Sequence, residues 1–181
     1  MPTARVLTLG YADRPVEEFV LLLRRHRVTG VADVRSLARS RKYPDYDRGR
    51  LVERLNAMGV PYHAMSELGG KRKFELPRSP NRGLRGAERA YADYMQSEAF
   101  AKGFRQLLAL AKLGPVVLLC AEPDWKRCHR RFLADALASA GADVVHLDAD
   151  GQAAPHAPTP RMEIRRGVPT YPPAGEQLSL F

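Results

Sequence analysis

The run Pro115-Val116-Val117-Leu118-Leu119-Cys120 decides the fold that we predict for this chain of 181 residues. It is the most apolar run in the sequence. A short strand that is apolar on both of its faces is typical of the centre of a parallel sheet, where helices cover both sides. The run therefore predicts a buried central strand.

Strands and helices alternate on either side of this run, which predicts a mainly parallel sheet. The other predicted strands are Arg5–Gly10, Val31–Val34, Val60–His63 and Asp143–Leu147. The predicted helices begin at Pro15, cover 48–58 and 126–140, and cover 87–113 with a break near Ser97 or Gly103. We expect an α/β fold, a Rossmann-like sheet of about five strands with helices on both faces.

The chain divides into three predicted segments. Residues 1–148 form the α/β domain, and residues 149–176 hold six of the 14 prolines and few large apolar residues. The second segment is therefore predicted to be a flexible tail, with a helix or strand around Met162–Ile164 left open. Residues 177–181 are a separate apolar peptide at its end.

The charge is strongly basic and concentrated. The chain carries a net charge of +9, with a pI near 9.9. Residues 35–89 hold 14 Lys and Arg against six Asp and Glu, a net charge of +8, mixed with aromatic residues. Basic groups can neutralise phosphates and aromatic rings can stack on bases, so DNA is a predicted partner. The alternative is a solvated basic surface.

Other classes of protein are not favoured by the sequence. It contains no apolar stretch long enough to span a membrane and no pattern of a signal peptide, so no membrane partner is expected. Two cysteines are too few for a disulfide-stabilised fold of this length. We predict a cytoplasmic, nucleoid-associated protein.

Polar residues follow three of the predicted strands. The carboxyl ends of parallel strands meet at one edge of the sheet, where ligands bind. The candidate pocket there contains Gly10, Tyr11, Asp33, Arg35, Cys120 and Glu122, and at the start of the next helix Cys128, His129 and Arg130.

Each candidate catalytic residue has a structural alternative. Glu122 is placed to act as a general base or nucleophile, or to cap the following helix. Asp33 could do the same chemistry or form an ion pair with Arg35. Cys120 is a candidate nucleophile or a small buried apolar residue.

Cys128 and His129 begin a predicted helix, whose dipole would lower the pKa of both groups. They are candidate catalytic residues, or ordinary first-turn packing. With Cys120, and with His146 on the neighbouring strand, they could also ligate zinc, but the spacing is not that of a standard zinc site. We therefore predict no metal and no cofactor. The candidate DNA-binding and phosphate-binding residues are Tyr11, Arg35, Arg41, Lys71, Arg72, Lys73 and Arg130.

An ordered set of motifs resembles a bacterial family, domain-of-unknown-function family 488. The motifs are Thr8-Leu9-Gly10-Tyr11, Asp33-Val34-Arg35-Ser36 with Ser40-Arg41, Glu67-Leu68-Gly69-Gly70, Tyr91-Ala92-Asp93-Tyr94-Met95, and Leu119-Cys120-Ala121-Glu122 with Cys128-His129-Arg130. The resemblance covers about residues 5–148. Tyr11-Ala12 stands where many members have His-Ser, and Ala38 where proline is usual. The resemblance implies a shared site at the strand ends and supplies no reaction.

The last five residues resemble the peptide with which bacterial polymerases and repair proteins bind the β sliding clamp. The pattern is Gln-Leu-Ser/Asp-Leu-Phe, and Gln177, Leu178, Ser179, Leu180 and Phe181 match it at every position. Apolar side chains would fill a pocket while the glutamine gives directional hydrogen bonds. The preceding flexible tail would span on the order of 30 Å. The alternative is an apolar end that folds back on the domain.

Three functions follow from these features. The leading hypothesis is a DNA repair or replication-associated hydrolase at the clamp, which removes a damaged base from single-stranded or flipped-out DNA by N-glycosidic cleavage. In it Glu122 or Asp33 would activate water while Arg35 or Arg130 holds phosphate. The second is a non-catalytic, clamp-associated DNA-binding module. The third is a cysteine-dependent enzyme acting on a nucleotide or a sulfur compound.

Overall fold

The computed structural model describes residues 3–175. Its six-stranded sheet has the order β3-β2-β4-β1-β5-β6. The strands are β1 Arg5–Gly10, β2 Gly30–Asp33, β3 Tyr62–Ala64, β4 Val116–Cys120, β5 Asp143–Leu147 and β6 Ala153–Pro155. The first five are parallel, and β6 is antiparallel to β5. The predicted α/β, Rossmann-like class is confirmed, with β4 central.

Helices cover both faces of the sheet. They are α1 Val16–Arg25, α2 Arg48–Ala57, α3 Gly86–Tyr94, α4 Glu98–Ala111 and α5 Arg130–Ser139. The side chains of β4 alternate between two apolar cores: Val117 and Leu119 pack with α1 and α2, and Leu118 and Cys120 with α3, α4 and α5. Burial on both faces explains why this strand is a continuous apolar run. Among residues 3–175, no helix is long and apolar enough to cross a membrane.

The predicted helix over 87–113 is two helices. Its break lies at the predicted position near Ser97, whose hydroxyl accepts from the amide of Phe100 and caps α4. The predicted helix over 126–140 begins later than expected. Trp125–Arg127 form a separate 3-10 turn, so Cys128 precedes α5 and His129 is its N-cap.

Much of the predicted flexible tail is folded. Residues 153–155 add β6 to the sheet, and β7 Glu163–Arg165 pairs with β8 Val168–Thr170 in a hairpin. Tyr171 is buried, and its hydroxyl donates to Asp135 at 2.8 Å. Polar anchoring of this kind leaves no apolar periodicity in the sequence, which is why composition alone predicted flexibility. The span of about 30 Å that we predicted for a flexible tail therefore does not apply to this folded segment.

Candidate active site

Two cysteines meet where β4 leads into α5. Cys120 is the last residue of β4, and Cys128 follows the turn of Trp125–Arg127. That turn brings the chain back on itself, because the amide of Cys128 donates to the carbonyl of Trp125 at 3.2 Å. The two sulfur atoms lie 3.6 Å apart, in hydrogen-bonding contact, and both thiols are free. Cys120 is 9% exposed and Cys128 7%.

The imidazole of His129 is oriented toward the sulfur of Cys128. Its Nε2 lies 3.0 Å from the carbonyl oxygen of Val34, and its Nδ1 lies 3.4 Å from the Sγ of Cys128. A carbonyl oxygen can only accept, so Nε2 carries the hydrogen of the neutral ring. Nδ1 is then left as an acceptor, and the tautomer suits removal of the thiol proton of Cys128.

Arg130 places a positive charge on the other side of the same sulfur. Its side chain is fully buried, its Nε donates to the Sγ of Cys128 at 3.3 Å, and its Nη2 donates to the carbonyl of Glu122. Its Nη1 has no hydrogen-bond partner among the described residues. A buried guanidinium favours an anionic partner. Arg130, predicted to bind phosphate, instead contacts a thiol.

These contacts shift the pKa values of the two thiols in opposite directions. The hydrogen bond with Cys120 lowers the pKa of Cys128, and so do the hydrogen bond with His129 and the charge of Arg130, against the opposing effect of burial. The same thiol–thiol hydrogen bond, together with burial, raises the pKa of Cys120. The negative charge therefore belongs on Cys128, because that sulfur is in contact with both the imidazole and the guanidinium. Cys120 keeps its proton and donates it.

Two glycines of the motifs allow the loops to close around this cluster. A Cβ on Gly70 would overlap the ring of His129 at Nδ1, and a Cβ on Gly10 would overlap the carbonyl oxygen of Glu122. Neither position can carry a side chain without moving its neighbour. The motif glycines are therefore required by close approach.

Asp33 and Arg35 form a buried ion pair. The Nε of Arg35 donates to one carboxylate oxygen at 2.8 Å, and its Nη2 donates to the other at 2.5 Å. Tyr62 donates to the second oxygen at 2.6 Å. Burial acts to lower the pKa of Arg35, but the hydrogen bond and charge of Asp33 outweigh it and raise that pKa. The structure thus has the alternative arrangement, in which neither group is available to water or to phosphate.

Tyr11 belongs to the packing of this ion pair. Its ring stacks on Tyr46 with centroids 4.2 Å apart, and its hydroxyl accepts from Arg35 at 3.3 Å. The ring is 2% exposed. Tyr11, predicted to bind DNA or phosphate, is covered by protein.

Glu122 lies in the loop after β4. Its side chain is half-buried, and its carboxylate accepts from the amide of Asp124 at 3.1 Å. It thus caps the turn that precedes Trp125. The carboxylate of Glu122 thus bonds within its own loop, whereas Asp33 and Arg35, with which it was predicted to share a pocket, bond to each other.

The predicted basic surface lies on loops that leave the same edge of the sheet. Arg41, Lys71 and Lys73 are exposed. Arg72 is different, because it donates to the carbonyls of Ser66 and Gly69 and lies 4.0 Å from the ring centroid of Tyr94. Three of the predicted phosphate-binding residues are therefore accessible, and Arg72 holds its own loop.

The predicted zinc ligands separate into two groups. Ligand atoms of Cys120, Cys128 and His129 lie within 4.8 Å of one another, so three donors could contact one soft cation. His146, the expected fourth, contacts Thr8 and His156 instead. The guanidinium of Arg130 beside the sulfur would repel a dication. The donor set fits an anionic thiolate better than it fits a metal.

One buried network was not predicted from the sequence. Asp135 accepts from His156 at 2.9 Å, and the other nitrogen of that ring lies 2.9 Å from His146. His146 also lies 2.7 Å from the hydroxyl of Thr8 and stacks on Trp125 with centroids 3.7 Å apart. The network supports the turn that carries Cys128. The sequence signal that could have revealed this network is Asp135, a charged residue within an apolar helix.

Comparison with known proteins finds a matching family model but no reaction. A family described as "Domain of unknown function DUF488" has a model that matches residues 15–137. No curated protein and no solved structure matches the chain. The clamp-like peptide at residues 177–181 lies outside the described residues.

Proposed function

The chain belongs to the DUF488 family, and from its site we propose that it is an enzyme with Cys128 as a thiolate nucleophile. One observation carries the proposal: the sulfur of Cys128 contacts the thiol of Cys120, the Nδ1 of His129 and the Nε of Arg130. The thiol and the guanidinium stabilise a negative charge on sulfur, and the imidazole does so once its Nδ1 has taken the thiol proton. The thiolate, not the thiol, is the reactive form of cysteine.

The neighbouring groups have separate roles in the proposed reaction. His129 takes the thiol proton and returns it to the leaving group, since its Nδ1 is the free acceptor. Arg130 balances the charge of the thiolate. Cys120 is hydrogen-bonded to this sulfur from the neighbouring strand end, and the bond lowers the pKa of Cys128. The substrate is a small electrophilic compound, because Cys128 is only 7% exposed.

Alkylation of the folded, reduced protein tests this proposal. Iodoacetamide in limiting amount should label Cys128 and leave Cys120 unlabelled, as shown by peptide mass mapping. Cys128→Ser should remain unlabelled. Labelling of Cys120 first, or equal labelling of the two cysteines, would contradict the proposal.

We propose in addition that the protein acts at DNA, with the sliding clamp as its partner. This second function is favoured by the match of residues 177–181 to the clamp-binding pattern and by the exposed Arg41, Lys71 and Lys73 in the loops that follow β2 and β3. Removing Gln177–Phe181 should abolish binding to the clamp and leave the alkylation of Cys128 unchanged. Clamp binding by the truncated chain would contradict recruitment.

Base removal by N-glycosidic cleavage depends on Glu122 in this account, because both carboxylate oxygens of Asp33 are occupied by Arg35 and Tyr62. Oligonucleotides carrying damaged bases should give abasic sites with the natural protein and none with Glu122→Gln. Product that depends on Cys128 instead would assign the chemistry to the thiolate. DNA and clamp binding without any product would favour the non-catalytic module.

A further inference from the structure

The two cysteines are close enough to react with each other. Their sulfur atoms lie 3.6 Å apart, and a disulfide requires about 2.05 Å. Cys120 is fixed in the central strand, whereas Cys128 lies in the irregular stretch between a 3-10 turn and α5. A rotation of the Cys128 side chain with a small shift of that stretch closes the gap. The pair is therefore positioned for reversible disulfide formation.

We propose that Cys128 reduces a small hydroperoxide and that Cys120 then resolves the oxidised sulfur as a Cys120–Cys128 disulfide. The inference deepens the proposed function, since it names a substrate class for the same thiolate. It assigns to Cys120 a catalytic part beyond hydrogen bonding.

The contacts of each sulfur assign the order of the two steps. Cys128 contacts the imidazole of His129 and the guanidinium of Arg130, so it is the sulfur that attacks. The side chain of Cys120 is hydrogen-bonded to Cys128 and lies among apolar residues of the core. It stays protonated until Cys128 is oxidised. The peroxide then meets the reactive thiolate first.

The burial of the site selects the size of the substrate. With exposures of 7% and 9%, the two sulfurs are closed to a protein disulfide or a bulky thiol compound. Hydrogen peroxide is not much larger than water and carries no charge that would need to be desolvated. A small hydroperoxide therefore fits where larger sulfur compounds do not.

The steps balance. The thiolate of Cys128 attacks one peroxide oxygen, the O–O bond breaks, and the leaving oxygen takes a proton to become water or an alcohol. Cys128 is then a sulfenic acid. The sulfur of Cys120 attacks it, the S–O bond breaks, and the hydroxide leaves with the proton of Cys120 as water. Two electrons pass from the two sulfurs to the peroxide, and a small dithiol such as dithiothreitol restores both thiols.

Hydrogen peroxide in about one equivalent, added to the reduced full chain, tests the inference. The intact mass should fall by two hydrogens. Trypsin cleaves after Lys126 and Arg127, between the two cysteines, so the disulfide should appear as a pair of linked peptides that dithiothreitol separates. Cys120→Ser should instead accumulate a sulfenic acid at Cys128, detected with dimedone. Cys128→Ser should not be oxidised under these conditions.

The outcomes separate this inference from the proposed function. Selective labelling of Cys128 by iodoacetamide without oxidation by peroxide would overturn the hydroperoxide inference and leave the thiolate proposal intact. Overoxidation of Cys128 in the natural chain with no linked peptides would overturn the role of Cys120. Failure of Cys128 to react with either reagent would contradict both.

Discussion

Acidification should destabilise this protein through His146. The ring is 1% exposed, on β5, and burial lowers its pKa to about 3, with further lowering by His156 and Arg130 and a smaller opposing effect of Asp135. In the unfolded chain its pKa is near 6.5. Between these values the unfolded state binds a proton that the folded state does not. The stability is therefore complete above the unfolded value and falls as the pH drops below it.

The magnitude follows from the two pKa values. Between about pH 7 and about pH 5, protonation of this one group in the unfolded state costs about 2 kcal/mol of unfolding free energy. For a chain of this size the loss corresponds to a fall in Tm of roughly 4–8 °C. The stabilising effect of Asp135, whose pKa is lowered although burial opposes the shift, is lost only at more acidic pH.

Urea denaturation at the two pH values, followed by circular dichroism, measures this effect. His146→Gln keeps one acceptor and one donor for Thr8 and His156 but does not titrate, so its pH-dependent loss should be about 2 kcal/mol smaller than that of the natural protein. His63→Gln, on β3, is the matched control and should keep the full loss. Equal losses in the natural chain and His146→Gln would refute the reasoning, whatever the absolute stabilities.

Three further variants test other parts of the structure. Gly70→Ala places a methyl group on the Nδ1 of His129, so alkylation of Cys128 by iodoacetamide should slow by about tenfold, or roughly 1.4 kcal/mol; an unchanged rate would show that the imidazole does not activate the thiol. Asp33→Asn leaves a buried guanidinium without its counter-charge, so urea denaturation should report a loss of about 3–5 kcal/mol, and a loss below 1 kcal/mol would contradict the buried pair. Tyr171→Phe removes the 2.8 Å hydrogen bond to Asp135 and should cost about 1.5–3 kcal/mol, whereas a Tyr171 held by apolar packing alone would show no loss.

The sequence predicts the sheet well because one physical signal is sufficient for it. The apolar run at 115–120 has to be buried on both faces, and short strands alternating with helices leave few other arrangements. The folded segment after residue 148 was missed for a physical reason as well. Its anchors are polar: Tyr171 and His156 are held by Asp135, and no hydrophobic periodicity marks them.

The strand-end rule predicts which residues gather at the edge of the sheet but not how they pair. Asp33 and Arg35 are two positions apart, and the sequence is equally compatible with a shared catalytic pocket and with an internal ion pair. The tautomer of His129 depends on its contact with the carbonyl of Val34. The position of its ring depends on Gly70, which lies 59 residues earlier in the chain. Such long-range contacts become visible only in three dimensions.

The pH dependence of Cys128 alkylation tests the central claim most directly. Cys120→Ser retains a hydroxyl donor and leaves Cys128 as the sole thiol. Its alkylation rate should already be on a plateau at about pH 7, well below the pKa near 8.5 of an ordinary thiol. A rate that keeps rising through about pH 8.5, as for a free cysteine, would contradict the account of Cys128 as a stabilised thiolate.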